Sequence, residues 1–176
     1  MPLIIEDGTA KDDSNSFVTV EEAREYAEAR GVELAPEDAA GDLAIEQMLI
    51  VAGDYLNAQE SLYSGQRVKP LEQAMCYPRI NSTVYGNLIV ETIIPITLKK
   101  AQMQLCIEQK NGVVLFPSYA AGASGVIIRE KVGPLETEYA SGSGMTISLD
   151  APAMSAVAAL LKPLYGQAFG LRTLRI

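Results

Sequence analysis

The sequence predicts a mainly α protein, a four-helix bundle-like domain with a long extended or β-like excursion between helices 3 and 4 and an extended C-terminal tail. Three observations predict it. Four stretches carry apolar residues at helical spacing, with capping or stop signals at their ends. Residues 113–150, between the third and fourth stretches, turn to β-formers, glycines and serines. After the fourth, the last ten residues, QAFGLRTLRI, are apolar and basic in alternation, the pattern of a strand that adds to a partner or a sheet edge. The reading is one domain, 1–166, with 113–150 as an extended insertion, and a separate tail, 167–176.

The chain opens with a brief apolar segment, Leu3 to Ile5, then an acidic turn at Glu6-Asp7-Gly8 and a polar loop from Lys11 to Ser16. Thr19 and Glu22 have the spacing of a capping box. They predict a first helix from about Val20 to Arg30 that stops at Gly31, with Val20, Ala23 and Ala27 inward and Glu21, Glu22, Glu25 and Glu28 outward. Pro36 suits the first turn of a second helix, with Glu37 and Asp38 complementing its dipole. That helix extends to about Ala58, with Ile45, Met48, Leu49, Ala52, Tyr55 and Leu56 on one face. Gly41 and Gly53 inside it mark close packing or a bend.

Asn57 to Lys69 is polar, with a turn at Ser64-Gly65. LEQAMCYPR, Leu71 to Arg79, then reads as a buried connector between two long helices. Pro78 fixes the backbone there and pushes Tyr77 towards extended geometry. Met75 and Tyr77 are expected to be buried against the next helix, and Arg79 to reach a surface. Asn81 to Thr92 reads as a loop with a short extended piece, Leu88 to Val90.

The third helix starts at Pro95 and ends before Asn111-Gly112, a left-handed stop. Ile94, Leu98, Ala101 and Leu105 form one apolar stripe, and Met103, Cys106 and Ile107 a second. A helix apolar on two sides is packed by several neighbours, so this one is expected at the centre of the core. In the excursion, Val126–Val132 and Leu135–Tyr139 read as strands around a Gly133-Pro134 turn, and Ser141 to Gly144 as a flexible joint. A last helix is expected from Ala151 or Pro152 to Lys162, capped by Asp150, with Met154, Val157, Leu161 and Leu164 inward.

Composition narrows the function classes. Hydrophobic residues are 48% of 176, enough for a core. No apolar run approaches the ~20 residues that a membrane span needs, and no membrane partner is expected. The N-terminus lacks the basic start of a signal peptide, which implies a cytoplasmic place of synthesis. There is no histidine, so the commonest general base and zinc ligand are absent. Cys76 and Cys106 read as core thiols. The charge is uneven: residues 1–60 hold 15 acidic and 3 basic side chains (−12), residues 61–176 hold 7 and 11 (+4), together −8. Such an acidic front and mildly basic back suit head-to-tail alignment of copies.

A search for chemistry finds little. GASG (Gly122 to Gly125) and SGSG lack the Lys-Ser/Thr and following helix of a phosphate loop. Asp12 to Ser16 lacks calcium-loop spacing. The carboxylates of the first helix form a solvated face without a partner to tune them. Lys99 and Lys100, with Arg67, Lys69 and Arg79 near in sequence, are candidates to touch nucleic acid, but the chain has three Phe, no Trp and thin aromatic interleaving. No catalytic residue, metal site or cofactor is expected, and the chain reads as a non-enzyme.

The order LIIEDGT, DSNSFVTVEEAREYAEARG, AGDYL, SGQR, LEQAMCYPR, IIPITLKKAQMQL and KVGPLETEYA resembles the head-completion proteins of tailed bacteriophages, also called head–tail adaptors or connectors. That family is often labelled DnaT-like single-stranded-DNA-binding protein. Its Pro-Arg is commonly preceded by tryptophan, where this chain has Tyr77. The resemblance implies a virion protein of the neck, assembled in the host cytoplasm, with no enzyme activity. It implies a homo-oligomeric ring, a dodecamer, beneath the portal protein, which extends the channel for genomic DNA and meets the next neck or tail-completion protein. It places the portal-docking segment at Gly170, Leu171, Arg172, Thr173, Leu174, Arg175 and Ile176. The alternative carried beside it is a single-stranded-DNA-binding accessory protein.

Overall fold

The computed structural model describes residues 2–116 and 154–166, and the backbone of 129–132 and 135–138. The first helix, α1 (Val20–Glu28), begins with the predicted capping box. The Thr19 hydroxyl accepts from the Glu22 amide at 3.2 Å, and the Glu22 carboxylate accepts from the Thr19 amide at 2.9 Å. Val20, Ala23 and Ala27 are buried, and the four glutamates of the helix face solvent. The chain turns away through Gly31, at φ 72°.

The second helix, α2 (Ala39–Ala58), starts later than Pro36 suggests. Asp38 is its N-cap and accepts from the Gly41 amide at 2.7 Å. A proline at a helix start merely lacks a donor, whereas an aspartate supplies an acceptor to an orphan amide. Arg24 of α1 meanwhile donates to the carbonyls of Ala35 and Pro36 and to the Asp42 carboxylate, holding that junction outside the helix. Gly53 marks close packing: a Cβ there would lie 2.7 Å from the Asn15 carbonyl oxygen.

After α2 come a 3-10 turn (Glu60–Leu62) and two short antiparallel pairs. The strands β1 (Gln66–Arg67) and β2 (Arg79–Ile80) pair Arg67 with Arg79. The strands β3 (Thr83–Val84) and β4 (Asn87–Leu88) form a hairpin where the sequence suggests mostly loop. Tyr85 and Gly86 take φ of 52° and 77°, the two left-handed positions of a tight hairpin turn. Tyrosine is uncommon there, so the turn carries only half its usual signature.

The third helix, α3 (Ile96–Lys110), follows Pro95 and ends at Asn111, with Gly112 at φ 90°. Leu98, Ala101 and Leu105 are buried together with Cys106 and Ile107, while Met103 is half-exposed. The fourth helix, α4 (Ser155–Leu161), α1 and α2 all pack against α3, which is central as expected. α4 is shorter than predicted. It passes into a 3-10 turn (Lys162–Leu164) that contains Pro163, a residue that cannot donate to a continuing helix. Met154, Val157, Leu161 and Leu164 are all buried. Asp150, the expected cap, lies outside the described residues. The architecture is mainly helical, gathered round α3, with short antiparallel strand pairs in the connections between helices.

The chain divides into two compact units, residues 1–115 with 154–176, and residues 116–153. Within the second, β5 (Arg129–Val132) and β6 (Leu135–Glu138) form an antiparallel pair with Val132 opposite Leu135. This is where the excursion was expected to be β-like. The Gly133-Pro134 turn, Ser141 to Gly144 and the expected docking segment Gly170 to Ile176 lie outside the described residues.

Candidate functional site

LEQAMCYPR is knitted by polar side chains as much as by packing. The Gln73 carboxamide donates to the carbonyls of Met75 and Pro78, at 2.7 and 3.0 Å, and accepts from the Lys69 amide. Asn57 of α2 accepts from the Cys76 amide at 2.7 Å. The Tyr77–Pro78 bond is cis. Met75 and Tyr77 are buried as expected. The Met75 thioether meets Asn57, and its methyl lies against Gly53, both on α2. The Tyr77 ring packs edge-on to Tyr63 at 5.7 Å, and its hydroxyl meets Ser82 at 3.1 Å. Leu71 is 99% exposed.

Arg79 overturns an expectation outright: it is 5% exposed and does not reach a surface. Its guanidinium donates to the carbonyls of Ser64, Gly65 and Cys76 and pairs with Glu60 at 3.1 Å. Arg67 pairs with the same carboxylate and also donates to the Gln73 carbonyl. Burial on its own would raise the Glu60 carboxyl. The hydrogen bonds and charges of the two arginines outweigh it and hold the group below its ordinary range.

Two further buried polar groups were not singled out in the sequence. Glu6, 1% exposed, accepts from the amides of Gly8, Ala10 and Lys11 and from the Ser14 hydroxyl, closing the N-terminal acidic loop round its carboxylate. Gln102 sits at the middle of α3's buried face. It accepts from the Phe17 amide at 2.9 Å and donates to the Leu49 carbonyl at 2.9 Å and the Ser16 hydroxyl at 3.0 Å. It ties the N-terminal segment, α2 and α3 at one point. Only the Asp/Glu and Gln/Asn residue types are visible in sequence, not the long-range partners.

These contacts decide where positive charge is available. Arg24, Arg67 and Arg79 are each committed to a carboxylate and to carbonyls. Arg30 stacks on the Tyr26 ring at 3.3 Å. Lys11 pairs with Asp7, and Lys69 donates to the Ala10 carbonyl. Thus Arg67 and Arg79, both paired with Glu60, do not add free charge to Lys99 and Lys100. Among the described residues, Arg30, Lys69, Lys99, Lys100, Lys110 and Lys162 carry no ion pair.

Nor does a nucleophilic or metal-binding cluster emerge in the described part. Both cysteines are free and buried, and burial pushes each thiol up to about 12, far from a reactive thiolate. No group of three or more His, Cys, Asp or Glu among the described residues could hold a metal ion. No described helix is long and apolar enough to cross a membrane. What the surface does offer is apolar: Tyr85, Leu88, Val90, Ile93 and Ile96 are exposed in one run that leads into α3.

Comparison with curated proteins and with solved structures returned no match. One family matches from the first residue to the last, 1–176, and the chain therefore belongs to the family described as "Putative DnaT-like ssDNA binding protein".

Proposed function

We propose that the protein is a structural assembly protein, a bundle-like head–tail adaptor of a tailed bacteriophage that forms a ring under the portal, extends the DNA channel and presents a platform to the next neck or tail protein. The observation that carries this reading is the character of the described surface. Arg24, Arg67 and Arg79 are spent on internal carboxylates and carbonyls, while five large apolar side chains between residues 85 and 96 stand exposed. That is the surface of a protein that meets proteins. The resemblance of LIIEDGT, LEQAMCYPR and the Pro95 helix start to head-completion proteins supports the finer assignment. In this reading Gly170 to Ile176 dock into the portal, and genomic DNA passes without sequence-specific contact.

A second reading is favoured directly by the family description: binding of single-stranded DNA. Arg30, Lys69, Lys99, Lys100, Lys110 and Lys162 are the described cations without an ion pair. A salt series separates the two. The anisotropy of a labelled single-stranded oligonucleotide would rise on adding an intrinsic DNA binder, and the affinity would fall steeply as salt increases. The adaptor reading expects no saturable binding at low salt. Saturable, salt-steep binding would replace it with the second reading.

A further inference from the structure

We propose that the N-terminus of α3 is a seat for a carboxylate, and that the partner which brings it is a protein segment where acidic and aliphatic side chains lie side by side. The class of partner rests on the reading of residues 85–96 as a surface that meets proteins. The seat itself is defined by the described residues.

A helix start leaves amides without an intrahelical acceptor, and α3 does little to satisfy its own. Its N-cap is Pro95, which makes no side-chain cap bond, and no acidic residue stands in its first turn. The Leu98 and Lys99 amides both turn back to the Pro95 carbonyl, at 3.0 and 3.2 Å. Among the described residues, the amides of Ile96 and Thr97 have no acceptor.

Thr97 adds an independent sign. It is 7% exposed, and its hydroxyl is the one buried side-chain polar atom among the described residues without a hydrogen-bond partner. Buried hydroxyls nearly always find a partner, so this one calls for a reason. The Cα–Cβ bond of a helical residue tilts towards the helix N-terminus, which aims this side chain at the same two amides. Threonine has two usable χ1 rotamers in a helix, so the hydroxyl can turn to a group seated there. Lys99 and Lys100 follow directly, and neither carries an ion pair. Two cations near the positive end of a helix dipole are unfavourable by themselves and favourable beside an anion. Glu91 is the single carboxylate of residues 85–100, and among the described residues it makes no hydrogen bond to these amides.

Two free amides, a hydroxyl and two ammonium groups suit one class of ligand, an oxyanion. The flanking residues decide what carries it. Val90, Ile93 and Ile96 are 63, 46 and 67% exposed. Residues 86–100 hold no aromatic side chain. A nucleic-acid strand would bring phosphates but find no ring there for its bases. A peptide with glutamate or aspartate next to leucine or isoleucine satisfies both halves, with charge at the amides and apolar area against the isoleucines.

The test titrates the full chain, isotopically labelled for amide spectroscopy, with three probes. They are an end-capped peptide of glutamate-glutamate-leucine repeats, the same peptide with glutamine for glutamate, and oligothymidylate. The acidic peptide should move the Ile96 and Thr97 amide resonances saturably, and the glutamine peptide should bind at least about fivefold more weakly. Thr97→Val should weaken the acidic peptide by about threefold or more. It should melt no lower than the wild type, because the wild-type hydroxyl has no internal bond to lose. A Thr97→Val protein that melts lower and binds the peptide unchanged would give the hydroxyl an internal role and overturn the inference. Equal binding of the two peptides, or shifts that leave Ile96 and Thr97 untouched, overturns it too. Oligothymidylate moving these amides at lower concentration than the acidic peptide overturns the choice of partner, and the adaptor reading with it. No response to any probe at millimolar concentration overturns the seat and leaves the adaptor reading to be decided at the portal.

Discussion

The Arg79 guanidinium lies 3.1 Å from the Glu60 carboxylate, and its remaining donors are taken by the carbonyls of Ser64, Gly65 and Cys76. One side chain thereby fixes the end of LEQAMCYPR to the turn after α2. A lysine keeps the charge but cannot reach four acceptors with a planar fork. Arg79→Lys is expected to cost about 2–4 kcal/mol, from stranded acceptors and a half-paired carboxylate. Urea unfolding with an unchanged m-value would measure it. A loss below about 0.5 kcal/mol would show that the guanidinium is not a structural pin.

The same pair sets a pH dependence. Glu60 is held below its ordinary range when folded, so it binds its proton less readily than in the unfolded chain. Its contribution is fully present above the unfolded value, near 4.3 for a glutamate, and is lost as pH falls through the folded value. Stability measured from pH 6 down to pH 3 should fall, and Glu60→Gln should flatten part of that fall. An identical slope in the variant would remove Glu60 as its source.

Gln102 and Phe17 make the second pin. Gln102→Leu keeps the volume roughly but leaves the Phe17 amide and the Leu49 carbonyl without their side-chain partner. Each stranded buried group costs about 1–3 kcal/mol, so a loss of roughly 2–4 kcal/mol is expected. Hydrogen exchange at the Phe17 amide should accelerate in the variant, since its acceptor is gone. Unchanged exchange there would mean that the amide is protected by something other than Gln102.

Gly53 reports on packing between α2, the N-terminal loop and Met75. A Cβ would come 2.7 Å from the Asn15 carbonyl oxygen and 3.2 Å from the Met75 methyl. Alanine is the better helix former, and at an exposed site it would stabilise by about 1 kcal/mol. Here overpacking is expected to reverse the sign, for a net loss of about 1–2 kcal/mol. A Gly53→Ala protein that melts higher than the wild type would show that the loop yields.

What could be read from the sequence followed the range of the signal. Thr19 with Glu22, and Asn111 with Gly112, act within a few residues, and both ends of α1 and α3 were placed closely. Met154, Val157, Leu161 and Leu164 share one helical face and proved to be buried together. Asp38 displaced Pro36 as the start of α2 because a supplied acceptor outweighs a missing donor. Polar groups that act over long separations stayed hidden. Gln102 lies on an otherwise apolar face, and Glu6 and Arg79 look like ordinary surface charges until Gly8, Ser14, Ser64 and Glu60 are placed around them. The availability of the basic side chains was misjudged for the same reason, since Arg67 and Arg79 lie near Lys99 in sequence order but are committed to Glu60.

The adaptor reading is tested most directly by imaging the protein mixed with portal rings by electron microscopy, as the full chain and as a variant lacking Gly170 to Ile176. The account predicts a ring of added density beneath the portal with the full chain, and bare portals with a truncated chain whose helical circular dichroism is unchanged. Bare portals with the full chain, beside saturable and salt-steep binding of single-stranded DNA, would contradict it.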